Sequence, residues 1–346
     1  MQIGAIVVVA IIVVAAAAVA LTRGGDDGRG NDPGTDSDHS VTITTYVDYN
    51  GNTAEITFDE IPERVVVGCN TALNLLLYLG LGDRIVGAYY DEEEVWDEVA
   101  DEYDALCERI GDVDESGSRH ISGNIQQDVL LSWEPDLVIG WVAWTDDNLG
   151  TEEFWNANGC NVMSLNSMTS PDARTTDTMK SDYENIGKIF DIEDEAMSVY
   201  DSIMDVVAQV DAVMEGKDTL TYAILDGGIN SSNTIWPYGD DNFIASVLND
   251  MGLTNAFPDA SGRVGLDVAY ETVSTVGIDL IIFIDYGSVE TQNSYESIAS
   301  DPVLGQCDAV KNGNWMGMKL SVSYGSTPEL LDTLNEVSAF VQRMYA

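Results

Sequence analysis

The stretch DVLLSWEPDLVIGW at 128–141 returns in altered form as ETVSTVGIDLIIFIDY at 271–286. Each copy opens on an acid, Asp128 or Glu271, seven positions ahead of the residue that precedes Asp-Leu, and then enters an apolar strand ending beside an aromatic. A helix followed by a buried strand is half of a parallel-sheet unit, because parallel neighbours need a crossover that packs on the face of the sheet. A chain that writes this unit twice, far apart, is predicted to build two α/β layers.

The remaining pattern fills in both. VTITTYVDYNGNTAEITF alternates around Asn50-Gly51 and predicts a β-hairpin. After Pro62, RVVVG reads as a strand, NTALNLLLYLGLG as a helix stopped by Gly80 and Gly82, and RIVGAYY as a second strand. The glycines of LGLGDRIVG close a helix instead of following a strand, so they do not form a dinucleotide-binding loop. A helix over 125–133, the strand PDLVIGW, the helix EEFWNANG and the strand CNVMSLN complete a first lobe, 41–168. Residues 169–216 carry helical pattern only, with a break near Asp191. A second lobe, 217–346, follows with TLTYAIL, NFIASVLNDMG, VAYETVSTVG, IDLIIFIDY, GNWMGMKL and the closing helix TPELLDTLNEVSAFVQRMY. The predicted fold class is α/β, with two Rossmann-like lobes joined by a rigid helical connector.

Residues 3–21 are uncharged and long enough to cross a bilayer as a helix of about 20 residues. Ala18-Val19-Ala20 resembles a cleavage site, so 1–22 is either a signal peptide or a retained membrane anchor. No Cys follows it to carry a lipid. The acidic stretch 23–40 has no apolar period and reads as a flexible linker, which places the folded part outside the cytoplasmic membrane, secreted or tethered. The formal charge of −46 excludes a nucleic-acid partner, which needs a basic face. Lysine is confined to Lys180, Lys188, Lys217, Lys311 and Lys319, a balance that suits a salty, archaeal setting. Cys69, Cys107, Cys160 and Cys307 have no C-x-x-C spacing, leaving disulfides and buried free thiols both open.

In order, PERVVVGCNTALNLLLYLGLGDRIVGAYY, NIQQDVLLSWEPDLVIGW, NGCNVMSLN, YENIGKIF and ETVSTVGIDLIIF resemble the cobalamin- and ferric-siderophore-binding proteins of ABC importers, from Pro62 to the C-terminus. The resemblance implies the class III solute-binding fold, an ABC permease with its ATPase as partners, a metal complex as ligand, no permanent cofactor and a monomer. It also implies that Asp128 and Glu271 face permease arginines, although Asp in place of Glu shortens the first reach by one methylene. The competing reading is capping, since the helix dipole favours an acid in the first turn by about 0.3–1 kcal/mol.

Ligands of parallel sheets collect beyond the carboxyl ends of the strands. That rule selects Cys69 and Asn70, Tyr89 and Tyr90, Trp141 and Trp144, Asp226 to Asn230, and Tyr286. Trp236, Tyr238 and Tyr324 lie in loops that face the cleft in the resembled family, and Arg119 and His120 lie in a loop that contacts ligand there. Trp133 and Trp155, inside helices, are assigned to the core. An aromatic cleft suits a large, rigid ligand, an iron chelate of siderophore or haem type or a corrinoid, each stacked ring adding about 0.5–1.5 kcal/mol. His120 is the single His after position 40, too few for the cage of a zinc or manganese importer. No G-x-S-x-G elbow or P-loop is present, so the chain reads as a binder and not an enzyme. A tethered sensor of the same fold, and behind it an enzyme, remain the alternatives.

Overall fold

The computed structural model describes residues 39–48, 51–111, 118–121, 127–141, 150–169, 174–226, 233–260, 267–285 and 300–345. Residues 39–346 belong to one compact unit. The expected export segment 1–22, and all but the last two residues of the expected linker, lie outside the described residues. Among the described residues no helix is long and apolar enough to cross a membrane.

Strands β1 (Val41–Tyr46) and β2 (Thr53–Phe58) pair antiparallel from Val41 opposite Phe58 to Tyr46 opposite Thr53, the hairpin that the alternation predicts. Gly51 holds φ 84°, a left-handed value that glycine adopts without a Cβ clash. Thr45 donates to the Ser164 carbonyl at 2.9 Å and so ties the hairpin to the first lobe. In that lobe β3 (Val65–Val67), helix α1 (Asn70–Tyr78) and β4 (Ile85–Ala88) form the first crossover. Helix α2 (Ala100–Ile110) follows, then α3 (Gln127–Leu131), β5 (Leu137–Gly140), α4 (Glu152–Ala157) and β6 (Asn161–Ser164). The sheet order is β4-β3-β5-β6 and every pairing is parallel. Trp133 and Trp155 are buried on one face of it, the core position expected of them, although Trp133 lies in the turn after α3 and only Trp155 in a helix.

The connector is a helical hairpin. Helix α5 (Thr176–Phe190) opens on a reciprocal cap between Thr175 and Thr178 and stops at Asp191, whose φ of 59° breaks the helical run. Helix α6 (Glu193–Met214) then runs back. A Cβ at Gly187 would lie 2.8 Å from the Glu193 backbone, so the close approach of the two helices depends on glycine there.

The second lobe contains β7 (Thr221–Asp226), β8 (Thr234–Pro237), α7 (Phe243–Asp250), β9 (Thr254–Asn255), β10 (Val268–Ala269), α8 (Tyr270–Thr275), β11 (Leu280–Asp285), α9 (Asp308–Asn312) and β12 (Trp315–Lys319). It ends with the short helix α10 (Leu320–Tyr324) and the long α11 (Leu330–Tyr345). β7, β11 and β12 are parallel, but β8 runs antiparallel to β7 and β10 antiparallel to β8. The sheet is therefore mixed, and the segments carrying Trp236 and Tyr324 are a strand and a helix instead of the loops expected from the sequence. A single apolar cluster includes Leu76 and Ile139 of the first lobe, Tyr183 and Ile203 of the connector, and Tyr222, Leu248 and Leu334 of the second.

Candidate ligand-binding site

The carboxyl ends of the two sheets meet. Trp141, directly after β5, lies against Tyr324 at the end of α10, with ring centroids 5.8 Å apart and planes 25° from parallel. Nearby, the Thr71 hydroxyl at the start of α1 donates to the Ser321 carbonyl at 2.9 Å. Two aromatics chosen from different halves of the sequence thus form one contact across the lobes.

On the first lobe, the segment around His120 runs beside β4. Ala88 N–H donates to the Arg119 carbonyl at 3.2 Å and Ile121 N–H to the Ala88 carbonyl at 2.7 Å. This carries Arg119 and His120 to the strand ends. His120 Nε2 lies 3.0 Å from the Tyr90 carbonyl oxygen, and since a carbonyl only accepts, Nε2 bears the hydrogen. The imidazole meets the Tyr90 ring edge-on at 4.4 Å and faces Tyr89 at 6.4 Å with planes 24° apart. Burial, then the nearby Asp91, pushes the Tyr89 phenol up from its ordinary value, so it is a neutral donor. The Arg119 guanidinium has a long contact, 3.5 Å, to the Val86 carbonyl.

On the second lobe, Asp226 ends β7 opposite Trp236 of β8. Trp236 is 51% exposed, and its indole N–H donates to Asp267. It is an open aromatic face held by its edge. Tyr238 donates to Asp226 Oδ2 at 2.9 Å.

Three of the expected contact residues sit behind this surface. Asn70 is 7% exposed, and its amide both accepts from Asp91 N–H at 2.9 Å and donates to the Asp91 carbonyl at 3.0 Å, pinning the turn after Tyr90. Tyr90 is 3% and Tyr238 4% exposed, Tyr90 packed edge-on against His120 and Tyr103, and Tyr238 bonded to Asp226. Cys69 is buried with its sulfur 4.0 Å from that of Met168, and burial pushes its thiol up to about 11. All four cysteines are free. Trp144, Tyr286 and residues 227–230 lie outside the described residues.

Beneath the aromatics lies polar chemistry that the sequence reading missed. Glu94 Oε2 accepts from the Ser321 N–H at 2.8 Å, while Glu329 accepts from the Ser321 hydroxyl at 3.3 Å and from Asn74 at 3.3 Å. Lys319 pairs with Glu329 at 3.4 Å and donates to the Val95 carbonyl at 2.6 Å. On the connector side, buried Asp182 accepts from the Ser167 hydroxyl at 2.6 Å, the Ser326 hydroxyl at 2.8 Å and the backbone of Asn166 and Ser167. Spacing gives no signal for these acids, which look like surface carboxylates in a chain with 60 Asp and Glu.

Asp128 and Glu271 are both exposed in the first turns of α3 and α8. Asp128 Oδ1 accepts from the adjacent Val129 N–H at 3.1 Å, and the N-cap position of α8 is Ala269, with no side-chain cap.

A family model described as periplasmic binding protein matches residues 65–319, which spans both sheets and the connector. The chain belongs to the periplasmic binding proteins. Members of this family are extracytoplasmic solute binders and not enzymes, and those of ABC importers work with a permease and an ATPase. This periplasmic binding protein is 30% identical over 148 residues to the petrobactin-binding protein YclQ of Bacillus subtilis, a match that takes in 41% of the chain and 44% of YclQ. Its fold is that of a periplasmic binding protein from Veillonella parvula, with TM-score 0.74 and 22% identity over 88% of this chain and 93% of the other. The crystal structure of YclQ superimposes with TM-score 0.67 at 22% identity over 88% and 99% of the two chains. The catecholate-siderophore-binding protein VctP of Vibrio cholerae does so with TM-score 0.65 at 16% identity over 88% and 99%. The two-lobe, helix-linked class III architecture is common to this chain and these structures.

Proposed function

We propose that this binding protein captures a ferric chelate of siderophore type between its lobes and delivers it to an ABC permease. The observation that carries the reading is the Trp141–Tyr324 contact across the strand ends of both lobes, with Trp236 and Tyr89 presenting further aromatic faces around it. A rigid, partly apolar complex buries well against such rings, and few directional groups are needed to hold it. The relationship to a petrobactin-binding protein supports iron chelates over corrinoid or haem. The test is a titration of the full chain with ferric chelates, following tryptophan fluorescence and the chelate's own absorption. Saturable one-to-one quenching is expected, and its absence for every ferric chelate while a corrinoid binds would move the ligand to that class.

Delivery is assigned to Asp128 and Glu271, one exposed acid per lobe. Both are exposed in first turns; among the described residues the Asp128 carboxylate bonds its neighbour Val129, and no side chain caps α8. The chain acts as a monomer, with the lobes divided at 168/169 and 216/217. Residues 1–22 export it and either leave or stay as a membrane anchor, from which 23–40 tether the folded part.

A further inference from the structure

We infer that the cleft sorts iron chelates by charge, accepting neutral or cationic complexes and excluding polyanionic ones. This rests on the proposed reading of the cleft as a chelate site and narrows its ligand class. Ferric iron held by three hydroxamates is neutral, whereas three catecholates leave a charge of about 3−, and a trianion withdrawn from water needs cations around it.

The basic side chains are placed elsewhere. Arg64 and Arg84, just before β3 and β4, donate to the carbonyls of Glu134 and Pro62, and Arg109 donates to those of Gly82 and Ile85. These lie at the amino ends of the first sheet, the edge opposite the cleft. In the second lobe Lys217 precedes β7 and lies over the Tyr345 ring, and Lys311 precedes β12 and pairs with Asp308, again at the amino ends. Lys180 and Lys188 flank Glu184 on the connector, and Arg174 is buried against the carbonyls of Thr169 and Asp241. Lys319 is at a carboxyl end but is committed to Glu329. Among the described residues this leaves Arg119 as the cation of the rim. Arg343, in the last turn of α11, lies over the Phe340 ring, and the remaining three of the 14 basic residues, Arg23, Arg29 and Arg263, lie outside the described residues.

The start of α1 is buried, with the Cys69 sulfur beside Met168 and the Thr71 hydroxyl on the Ser321 carbonyl, so it is not open to a ligand. Around the rim, Asp226 accepts from the Tyr238 phenol and Asp267 from the Trp236 indole, so two acids lie beside the open Trp236 face. The aromatic faces themselves carry negative quadrupoles and favour a cation over an anion. Rim acids, aromatic faces and a charge of −46 act in the same direction.

The experiment titrates the full chain at one low salt concentration with three chelates: a neutral ferric trihydroxamate, a ferric trihydroxamate bearing a free amine, and a trianionic ferric tricatecholate. The first two are expected to bind at least about tenfold more tightly than the third, with a gap that narrows as salt is raised. Equal or tighter binding of the tricatecholate would overturn the charge inference and leave the proposed function standing. Failure of all three to bind would overturn the proposed function, and this inference with it. The double variant Asp226→Asn, Asp267→Asn is expected to narrow the gap several-fold, and an unchanged ratio would overturn the assignment of selectivity to the rim.

Discussion

Glu94 and Glu329, from opposite lobes, converge on Ser321, one accepting from its N–H and the other from its hydroxyl. Both carboxyls are buried, and Glu94 Oε1 has no hydrogen-bonding partner among the described residues. Two acids against the one amine of Lys319 make a joint that is best satisfied with a proton on board. Burial, offset in part by Lys319, pushes Glu329 up to about 7, and burial likewise raises Glu94. Asp332 on α11 accepts from the Trp96 indole beside the pair. Asp182, also buried, is pushed up to about 6.

A carboxyl with a raised folded-state pKa holds its proton more tightly in the folded chain. Its stabilising effect is full below the ordinary carboxyl range and is lost as pH climbs through the raised value. The melting temperature is therefore expected to peak in mildly acidic buffer and to fall between about pH 5 and about pH 8, with Glu329→Gln flattening the upper part of the fall. A melting profile of Glu329→Gln parallel to that of the wild type would remove this joint as the source.

Trp141→Ala is expected to weaken chelate binding by about 1–3 kcal/mol, with a smaller loss for Tyr324→Ala, while urea unfolding changes little. Trp141 is half-buried against the shared apolar cluster, so stability is the control that matters. A variant that binds normally, or that only unfolds, assigns this ring to packing.

The double variant Asp128→Ala, Glu271→Ala is expected to bind ligand normally and to transport poorly in vesicles containing the permease. Reversal of both charges to Lys should impair transport further, because like charges then oppose at the contact. Assays belong at the lowest salt that keeps this acidic chain folded, since exposed pairs are screened beyond about 10 Å at 0.1 M. Normal transport by the folded double variant would reduce the repeated acids to a geometric echo.

At Gly87 in β4 a Cβ would overlap the Trp133 ring. Gly87→Ala is expected to cost about 1–3 kcal/mol in chemical denaturation, and Trp133→Leu in the same chain should recover part of it. No recovery would locate the strain in the Arg119 backbone, the other neighbour of that position.

What was legible in the sequence is what repeats with a period. β3, β5 and β11 are short apolar runs, and the helical pattern of the connector lapses at Asp191, where the two helices part. β8 and β10 hold together through tertiary pairing over very few residues and carry no pattern of their own. Helix α2 lies in an acidic stretch that obscures its pattern, although Tyr103, Leu106, Cys107 and Ile110 mark its inner face at helical spacing. The strand-end rule picks residues at the carboxyl ends of β4, β5 and β7. It could not tell Tyr89 from Tyr90, because adjacent residues face opposite ways and only packing decides which faces out.

The apolar cluster that runs without interruption from the first lobe through the connector into the second has a consequence for how such a chain can change over time. Its halves repeat a theme but are not interchangeable parts, since each supplies one side of a seam that the other completes. Exchanging one lobe for that of a relative with different ligand preference would leave mismatched surfaces along the whole connector. New specificity is more readily reached by altering the rim, where Trp236 stands open to solvent, than by recombining lobes.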